Sequence, residues 1–428
     1  MIDTQLGVEA ALKRFERYNP KDRILALDRL LVVLEALGNP HLDLPPVIHV
    51  AGTNGKGSTV AFIRAMAEAA GLSVHTSTSP HLVRFNERIR LRGELITDDY
   101  LVSCLERVEA ALLGHREITH FEAAQAASFL AFHETPADLL ILEVGLGGRY
   151  DASNVIGEAA CSVFCPIDLD HQAFLGNTIT KIATDKAGIM KPGCPAVSAI
   201  QGEEAAIALA AESEKTGSPL SFLTPEDMAR IKTPLSLWGV HQVSNAALAA
   251  KALETAGFPL SDAIIANGTA TAKWPARMQR LSEGPVTALV DHIPVWLDGG
   301  HNPHGAAALA RTIADMPEKP LVLIMGMMSN RAPEDFLEVF RDLHPAQVLT
   351  LTIPGEENAH RSEDIAARAR AQRFPARAMR SITNALKVAA DIENARVLIC
   401  GSLYLAGEVL AANGEVPEIY REIASYKA

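Results

Sequence analysis

Four short runs, VIHVA from Val47, DLLILEV from Asp138, CSVFCPI from Cys161 and PAVSAI from Pro195, are apolar along almost their whole length. A strand with one wet face alternates apolar and polar side chains, so runs without alternation belong to strands covered on both sides. Helical stretches separate them. One reaches Ala70 and stops at Gly71, and LSVHTST from Leu72 follows as a further strand. This order predicts a mainly parallel sheet with helices on both faces.

A second series begins near Pro285: VWLDGG from Val295, LVLIMGMM from Leu321, VLTLTI from Val348 and RVLICGS from Arg396, with helices expected at 303–315, 333–343 and 403–412. A chain of 428 residues exceeds what one ordinary core organises, so two domains are expected. WPARMQRLSEGP, 274–285, lies between the two series and is rich in Pro, Gly and charge; a boundary within it gives domains 1–282 and 283–428. Ahead of the first strand, residues 5–38 carry helical periodicity in two blocks, broken at Asn19-Pro20 and closed by Gly38-Asn39-Pro40.

A hydrophobic fraction of 48% with 21% charged residues describes a globular chain. The net charge of −12 argues against a surface that wraps nucleic acid, which needs clustered Lys and Arg. The cysteines, at 104, 161, 165, 194 and 400, lack the CxxC spacing of a zinc or redox site, and Cys161 and Cys165 read as core residues. No run approaches the ~18 apolar residues of a membrane span, and MIDTQLGVEAALKRFERYNP has no apolar signal core. A cytoplasmic enzyme is expected, acting as a monomer without membrane or nucleic acid.

Between VIHVA and its helix stands GTNGKGS, Gly52 to Ser58. Strand, glycine-rich turn and helix are the setting of a phosphate loop: glycines let backbone N–H groups turn inward, and the helix start adds positive partial charge. Lys56 reaches phosphate oxygens, and Ser58 and Thr59 offer hydroxyls to phosphate or its magnesium. The common form has Ser or Thr directly after Lys; here Gly57 intervenes.

With that extra glycine, GTNGKGS resembles the ATP loop of the Mur ligase superfamily, and most closely that of the folylpolyglutamate synthase and dihydrofolate synthase family. Further segments resemble the family in the same order: TSPHLVRFNERI (78–89), THFE (119–122), LEVGLGGRYDASN (142–154), LDHQAFLGNTITKIATDKAGIMKPG (169–193), GVHQVSNAALAA (239–250) and LDGGHNP (297–303). The resemblance implies an α/β fold made of an N-terminal P-loop ATPase domain and a C-terminal Rossmann-like domain. It also implies ATP-dependent ligation of L-glutamate to dihydropteroate, forming dihydrofolate, and to reduced folates.

That chemistry requires a triphosphate, magnesium, a carboxylate and an amine held away from water. Glu143 follows DLLIL, Ser79 follows the LSVHTST strand and His171 ends IDLDH, three positions at the carboxyl ends of expected parallel strands, where open α/β sheets bind ligands. Such residues are often only structural; the resemblance implies that Ser79, Glu143 and His171 hold Mg2+. Asp170 reads as a solvated or capping acid. Lys186 by itself reads as an exposed helix lysine, whereas the resemblance implies a carbamylated one supporting a second magnesium.

For ATP the resemblance implies the loop Gly52, Thr53, Asn54, Gly55, Lys56, Gly57 and Ser58, with Asn245, Arg277 and Asp298. An arginine such as Arg277 suits charge spreading over a transferred phosphoryl group. His241, Gln242 and Asn245 read equally as the capped, exposed start of a helix. For the pterin the resemblance implies Thr119, His120, Phe121 and Glu122 together with Tyr150, Asp151 and Ala152; Phe121 reads as a ring partner or as a helix core residue.

The chain departs from the family at Gln125, where Thr is frequent, at Tyr150, Ala276 and the pair Gly299–Gly300. Gln125 and Tyr150 bear on substrate preference. Two other readings stay open: another Mur-type amino-acid ligase, which would need an N-terminal domain that fifty residues before the loop cannot supply, and a non-catalytic ATP-binding switch.

Overall fold

The computed structural model describes residues 4–20, 26–112, 117–290 and 292–417. They form two compact units, one comprising the described residues up to Pro234 with Val243–Ala272, the other Leu235–Gln242 with Lys273–Pro417. The first holds an eight-stranded sheet of β1 (Val47–Ala51), β2 (Val74–Ser77), β3 (Ile89–Leu91), β4 (Glu94–Leu95), β5 (Leu139–Glu143), β6 (Cys161–Phe164), β7 (Ala196–Ser198) and β8 (Leu220–Phe222), in the order β4-β3-β2-β5-β1-β6-β7-β8. All neighbours are parallel except β2/β3 and β3/β4.

The unbroken apolar runs have the expected cause. Val47, Leu140 and Leu142 join a core with Phe15, Leu30 and Phe129, while Ile48, Val50, Leu139 and Ile141, facing the other way, are fully buried too. The helix Lys56–Ala69 packs on β2 and β5 and against the helix Asp262–Thr271, whose Gly268 lets the backbones meet: a Cβ there would stand 2.7 Å from Met66 N.

β1 lies centrally between β5 and β6, so the loops leaving β1, β2, β5 and β6 emerge along one edge. This is the ligand-binding edge of an open α/β sheet.

The second unit contains β9 (Gln279–Arg280), β10 (Val295–Leu297), β11 (Leu321–Met325), β12 (Gln347–Thr350), β13 (Ala376–Ala378) and β14 (Arg396–Cys400), ordered β13-β12-β11-β14-β10-β9 and parallel except for β9. Trp296, Leu323, Met325, Val348 and Leu398 meet Leu309, Phe336 and Phe340 in its core. The stretch 274–285 is thus not merely a connection, because β9 pairs with β10 through Gln279 and Leu297. The helix expected at 333–343 ends at Glu338 and resumes as a 3-10 turn at Arg341–Leu343. At the N-terminus, helices Thr4–Lys13 and Asp28–Ala36 occupy the two periodic blocks; residues 21–25 lie outside the described residues. Cys104, Cys161, Cys165 and Cys400 are buried free thiols. Among the described residues no helix is long and apolar enough to cross a membrane.

Candidate active site

From β1 the chain turns through residues 52–55 into the helix Lys56–Ala69. Gly52 has φ +151, and a Cβ there would stand 2.6 Å from Cys165 Cβ; Gly55 has φ +87, and its Cβ would stand 2.8 Å from Asn245 Oδ1. Both positions demand glycine. The backbone N–H groups of Thr53 and Asn54 donate to Pro166 O at 2.9 and 3.3 Å, and Thr53 Oγ1 donates to Asp168 O at 2.9 Å while accepting from Asp168 N at 3.0 Å. The loop is clamped to the exit of β6. Lys56 Nζ donates to the carbonyls of Gly52 (3.1 Å) and Thr53 (3.4 Å), which folds the ammonium over the loop. With the helix start at Lys56, Gly57 and Ser58 this makes a cradle for an anion.

Glu143 terminates β5 and is 7% exposed, and its Oε2 accepts from Ser79 N at 3.1 Å across the cis Ser79–Pro80 turn that follows β2. Two of the expected metal residues are therefore in direct contact. His171 stands after β6 at φ 49, its N–H donating to Asp170 Oδ1 at 2.7 Å and its Nε2 lying 3.9 Å from that oxygen. Of the two readings of Asp170, the solvated one fails, because it is buried; its Oδ1 instead accepts the backbone N–H of the next residue, and its charge acts on Lys186. Among the described residues no three His, Cys, Asp or Glu side chains gather closely enough to ligate a metal by themselves. The oxygen donors of Glu143 and Ser79 are of the kind magnesium takes, one or two carboxylates completed by water and substrate phosphates.

Lys186 is not on the surface. It sits in the helix Ile179–Ala187, 5% exposed, with Lys56, Asp170, Asp185 and Asp151 as its charged neighbours. Burial first, then the Lys56 ammonium, push its pKa down to about 7. The loop after β5 creates this burial. Arg149 N donates to Asp185 O at 2.9 Å, and Asn154 Nδ2 donates to Gly188 O at 3.0 Å. Gly148 lies so close that a Cβ would stand 2.6 Å from Lys186 O and 2.7 Å from Lys186 Cα. Gly148→Ala must separate loop from helix, with an expected loss of roughly 1–3 kcal/mol of stability and a disproportionate loss of turnover. Thermal unfolding beside ADP release checks this, and an alanine variant with unchanged melting and turnover contradicts it.

Cys165, at the exit of β6, has Lys56, Glu143 and Lys186 as charged neighbours, and burial raises its thiol to about 12. It is the inert floor of a site whose phosphate loop, carboxylate and buried lysine come from separate segments.

The residues expected around a pterin divide. Thr119 and Glu122 form the capping box of the helix His120–Glu134, and Glu122 Oε1 also accepts from Arg29 Nη2 at 3.1 Å. His120 meets Phe85 edge to face, and burial followed by the Arg88 charge lowers its pKa. Phe121 is partly buried and lines a small open pocket with Ser77, Ser79, Phe85, Gln125 and Glu143. Asp151 is consumed within its own loop, accepting from Gly145 N, Leu146 N and Ser153 N at 2.9–3.1 Å and from Ser153 Oγ at 2.5 Å. Ser153 Oγ in turn pairs with buried His49 Nε2 at 2.8 Å. Ala152 belongs to the core, and Tyr150 is half exposed.

Asn245, in the helix His241–Thr255, is buried against the phosphate loop rather than on an exposed face. In the second unit Asp298 is buried at the end of β10 and accepts from Met278 N (2.7 Å) and Gly300 N (2.6 Å). Burial raises its pKa, opposed by the Arg277 charge. Arg277 Nη1 donates to Ala276 O at 3.2 Å, and a Cβ on Gly299 would stand 2.9 Å from that nitrogen. Sequence reasoning missed Asp185 and the His49–Ser153–Asp151 chain; the Asp-Lys pair in DKAGI was the one available signal for the former.

A phosphate loop on a parallel sheet, with a carboxylate and a buried lysine at the same edge, defines a nucleotide-dependent ligase class, and residues 276–403 match the family model described as "Mur ligase, glutamate ligase domain". The chain is 37% identical over 319 residues to the dihydrofolate synthase/folylpolyglutamate synthase of Bacillus subtilis, covering 67% of this chain and 71% of that protein. It is 33% identical over 416 residues to the folylpolyglutamate synthase of Lacticaseibacillus casei, covering 89% and 92%. A bifunctional folylpolyglutamate synthase/dihydrofolate synthase solved with Mn, AMPPNP and L-glutamate bound superposes with a TM-score of 0.81 at 28% identity over 95% of this chain and 97% of that one. The chain belongs to the dihydrofolate synthase/folylpolyglutamate synthase family.

Proposed function

We propose that this protein is an ATP-dependent amide ligase that joins L-glutamate to dihydropteroate, forming dihydrofolate, and to reduced folates, extending their glutamate tail. The observation that carries the reading is the phosphate loop pressed on Cys165, with Lys56 folded over it, at the sheet edge where Glu143 accepts from Ser79 N. Amide formation from a free carboxylate is uphill in water, so the carboxylate is first activated. A carboxylate oxygen attacks the γ-phosphorus of ATP and ADP departs, leaving an acyl phosphate. The amine of L-glutamate then attacks the acyl carbon, loses a proton, and the tetrahedral intermediate expels phosphate.

The phosphate loop, residues Gly52 to Ser58, holds the β- and γ-phosphates, and Lys56 neutralises charge as it moves to the leaving ADP. Asn245, Arg277 and Asp298 contact the nucleotide, with Arg277 supplying positive charge. Ser79, Glu143 and His171 hold Mg2+, which when bound screens the triphosphate. Lys186 is carbamylated: its neutral Nζ lone pair bonds to the carbon of CO2, a proton leaves to solvent, and an anion replaces the cation. Burial beside Lys56 supports this, because it favours the neutral amine over the ammonium. Thr119, His120, Phe121, Glu122, Tyr150, Asp151 and Ala152 form the pterin side, Phe121 by ring packing and Asp151 by shaping its loop. The protein works as a cytoplasmic monomer and binds neither nucleic acid nor membrane.

The test is ADP release from Mg-ATP and L-glutamate with dihydropteroate, tetrahydrofolate or neither, and products identified by mass. Pterin-dependent release yielding dihydrofolate and glutamate-extended tetrahydrofolate is expected. Folded protein without pterin-dependent turnover overturns the reading in favour of another Mur-type ligase, if a different carboxylate stimulates release, or of an ATP-binding switch if none does.

A further inference from the structure

Gln125 projects from the middle of the helix His120–Glu134, 5% exposed, into the pocket that Glu143, Ser79 and Phe121 also line. Its Oε1 accepts from Ser77 Oγ at 3.5 Å, which orients the carboxamide, and its buried Nε2 has no acceptor within hydrogen-bond range. The neighbouring hydroxyls are already engaged: Ser128 Oγ donates to Ala124 O at 2.8 Å and Thr78 Oγ1 to Glu87 O at 3.4 Å. A buried amide donor without an acceptor is costly, so a group of this kind lining a pocket calls for a partner that enters the pocket.

We propose that Gln125 is a specificity-determining residue whose Nε2 donates to an acceptor oxygen on the arm of the pterin substrate that carries the reacting carboxylate; this rests on the ligase reading of the site. The pocket is lined by the polar Glu143 and Ser79 and by the Phe121 and Phe85 rings as well as by Gln125, a lining that suits a substrate with an aromatic body and a carboxyl end. Both dihydropteroate and reduced folates carry a carbonyl or carboxylate oxygen on the aromatic ring where those two parts join, and one donor serves both.

Steady-state ADP release is measured for the wild type, Gln125→Met and Gln125→Asn, varying dihydropteroate, tetrahydrofolate, ATP and L-glutamate in turn. Methionine keeps the volume and removes the donor, so the KM for both pterins rises about tenfold while the KM values for ATP and L-glutamate stay within about twofold. Without ligands the methionine variant melts at or above the wild-type temperature, because the unmatched donor is gone. Asparagine keeps a carboxamide one methylene short and recovers part of the pterin affinity. An unchanged pterin KM, or one that rises equally for ATP, overturns the proposal. If the methionine variant does not fold, the asparagine variant decides: a selective rise in pterin KM supports the assignment and no rise overturns it. A wild type with no pterin-dependent ADP release overturns the ligase reading instead.

Discussion

Replacing Glu143 by glutamine will lower kcat for pterin-dependent ADP release by roughly 10²–10³-fold while leaving the protein folded. Glutamine has the size of glutamate, and its carbonyl oxygen can still accept from Ser79 N, a bond of 3.1 Å in the native site. What disappears is a negative charge, buried to 7% exposure, at the carboxyl end of β5 beside the phosphate loop. In so dry a position a charge acts on a bound cation far more strongly than on the surface, so its removal affects the step in which phosphoryl charge is redistributed. Raising Mg2+ should restore part of the rate, since the lost carboxylate weakens metal binding. Circular dichroism and thermal melting establish that the variant is folded. A folded Glu143→Gln protein turning over within about threefold of wild type would falsify the assignment of Glu143 to the reacting site.

Lys186→Met will also stop turnover, by about 10²-fold or more, yet below pH 7 in CO2-free buffer it will be more stable than the wild type. The native pKa of Lys186 is pushed down from 10.5 to about 7, chiefly by burial. The unfolded chain therefore binds more protons than the native one between these values, and stability rises with pH across that window. Below pH 7 the wild type carries the full cost of the mismatch; as the pH climbs from 7 toward 10.5 the native amine is already neutral while less and less free energy is gained by protonating the unfolded one, and the cost fades. The stability gap between variant and wild type should accordingly be widest at pH 6 and close as the pH approaches 10. Denaturant unfolding at both pH values reads it directly, and a gap independent of pH would refute the burial of a titrating amine. Carbamylation has its own readout: wild type equilibrated with ¹³C-labelled bicarbonate should show a carbamate carbon resonance that Lys186→Met lacks. No resonance in the wild type would remove the carbamate from the proposed site.

Lys186 also marks where sequence reasoning stopped. Nothing in TDKAG distinguishes a buried lysine from an exposed one, because its burial comes from a distant loop whose Gly148 has no side chain and can press against the Lys186 backbone. Asp170, too, is buried rather than solvated, which its local sequence does not announce. By contrast the glycines of GTNGKGS were legible, since positive φ at Gly52 and Gly55 is a local demand that sequence writes directly. Thr119 and Glu122 lie between these cases: their spacing is that of a capping box, which the structure contains, and a resemblance alone would assign them only to ligand.

What the sequence by itself determined is the set of parallel strands, the helices between them and the phosphate loop, because periodicity, glycine and proline act within a few residues along the chain. Tertiary structure alone decided which polar groups lose their water. Glu143 and Ser79 meet because β2 and β5 are neighbours, with Ser77 opposite Leu142, and Lys56 and Lys186 share a site although their helices are far apart in sequence. Desolvation depends on everything packed around a group, and the perturbed lysine and the unmatched amide of Gln125 follow from that packing rather than from the residues on either side of them.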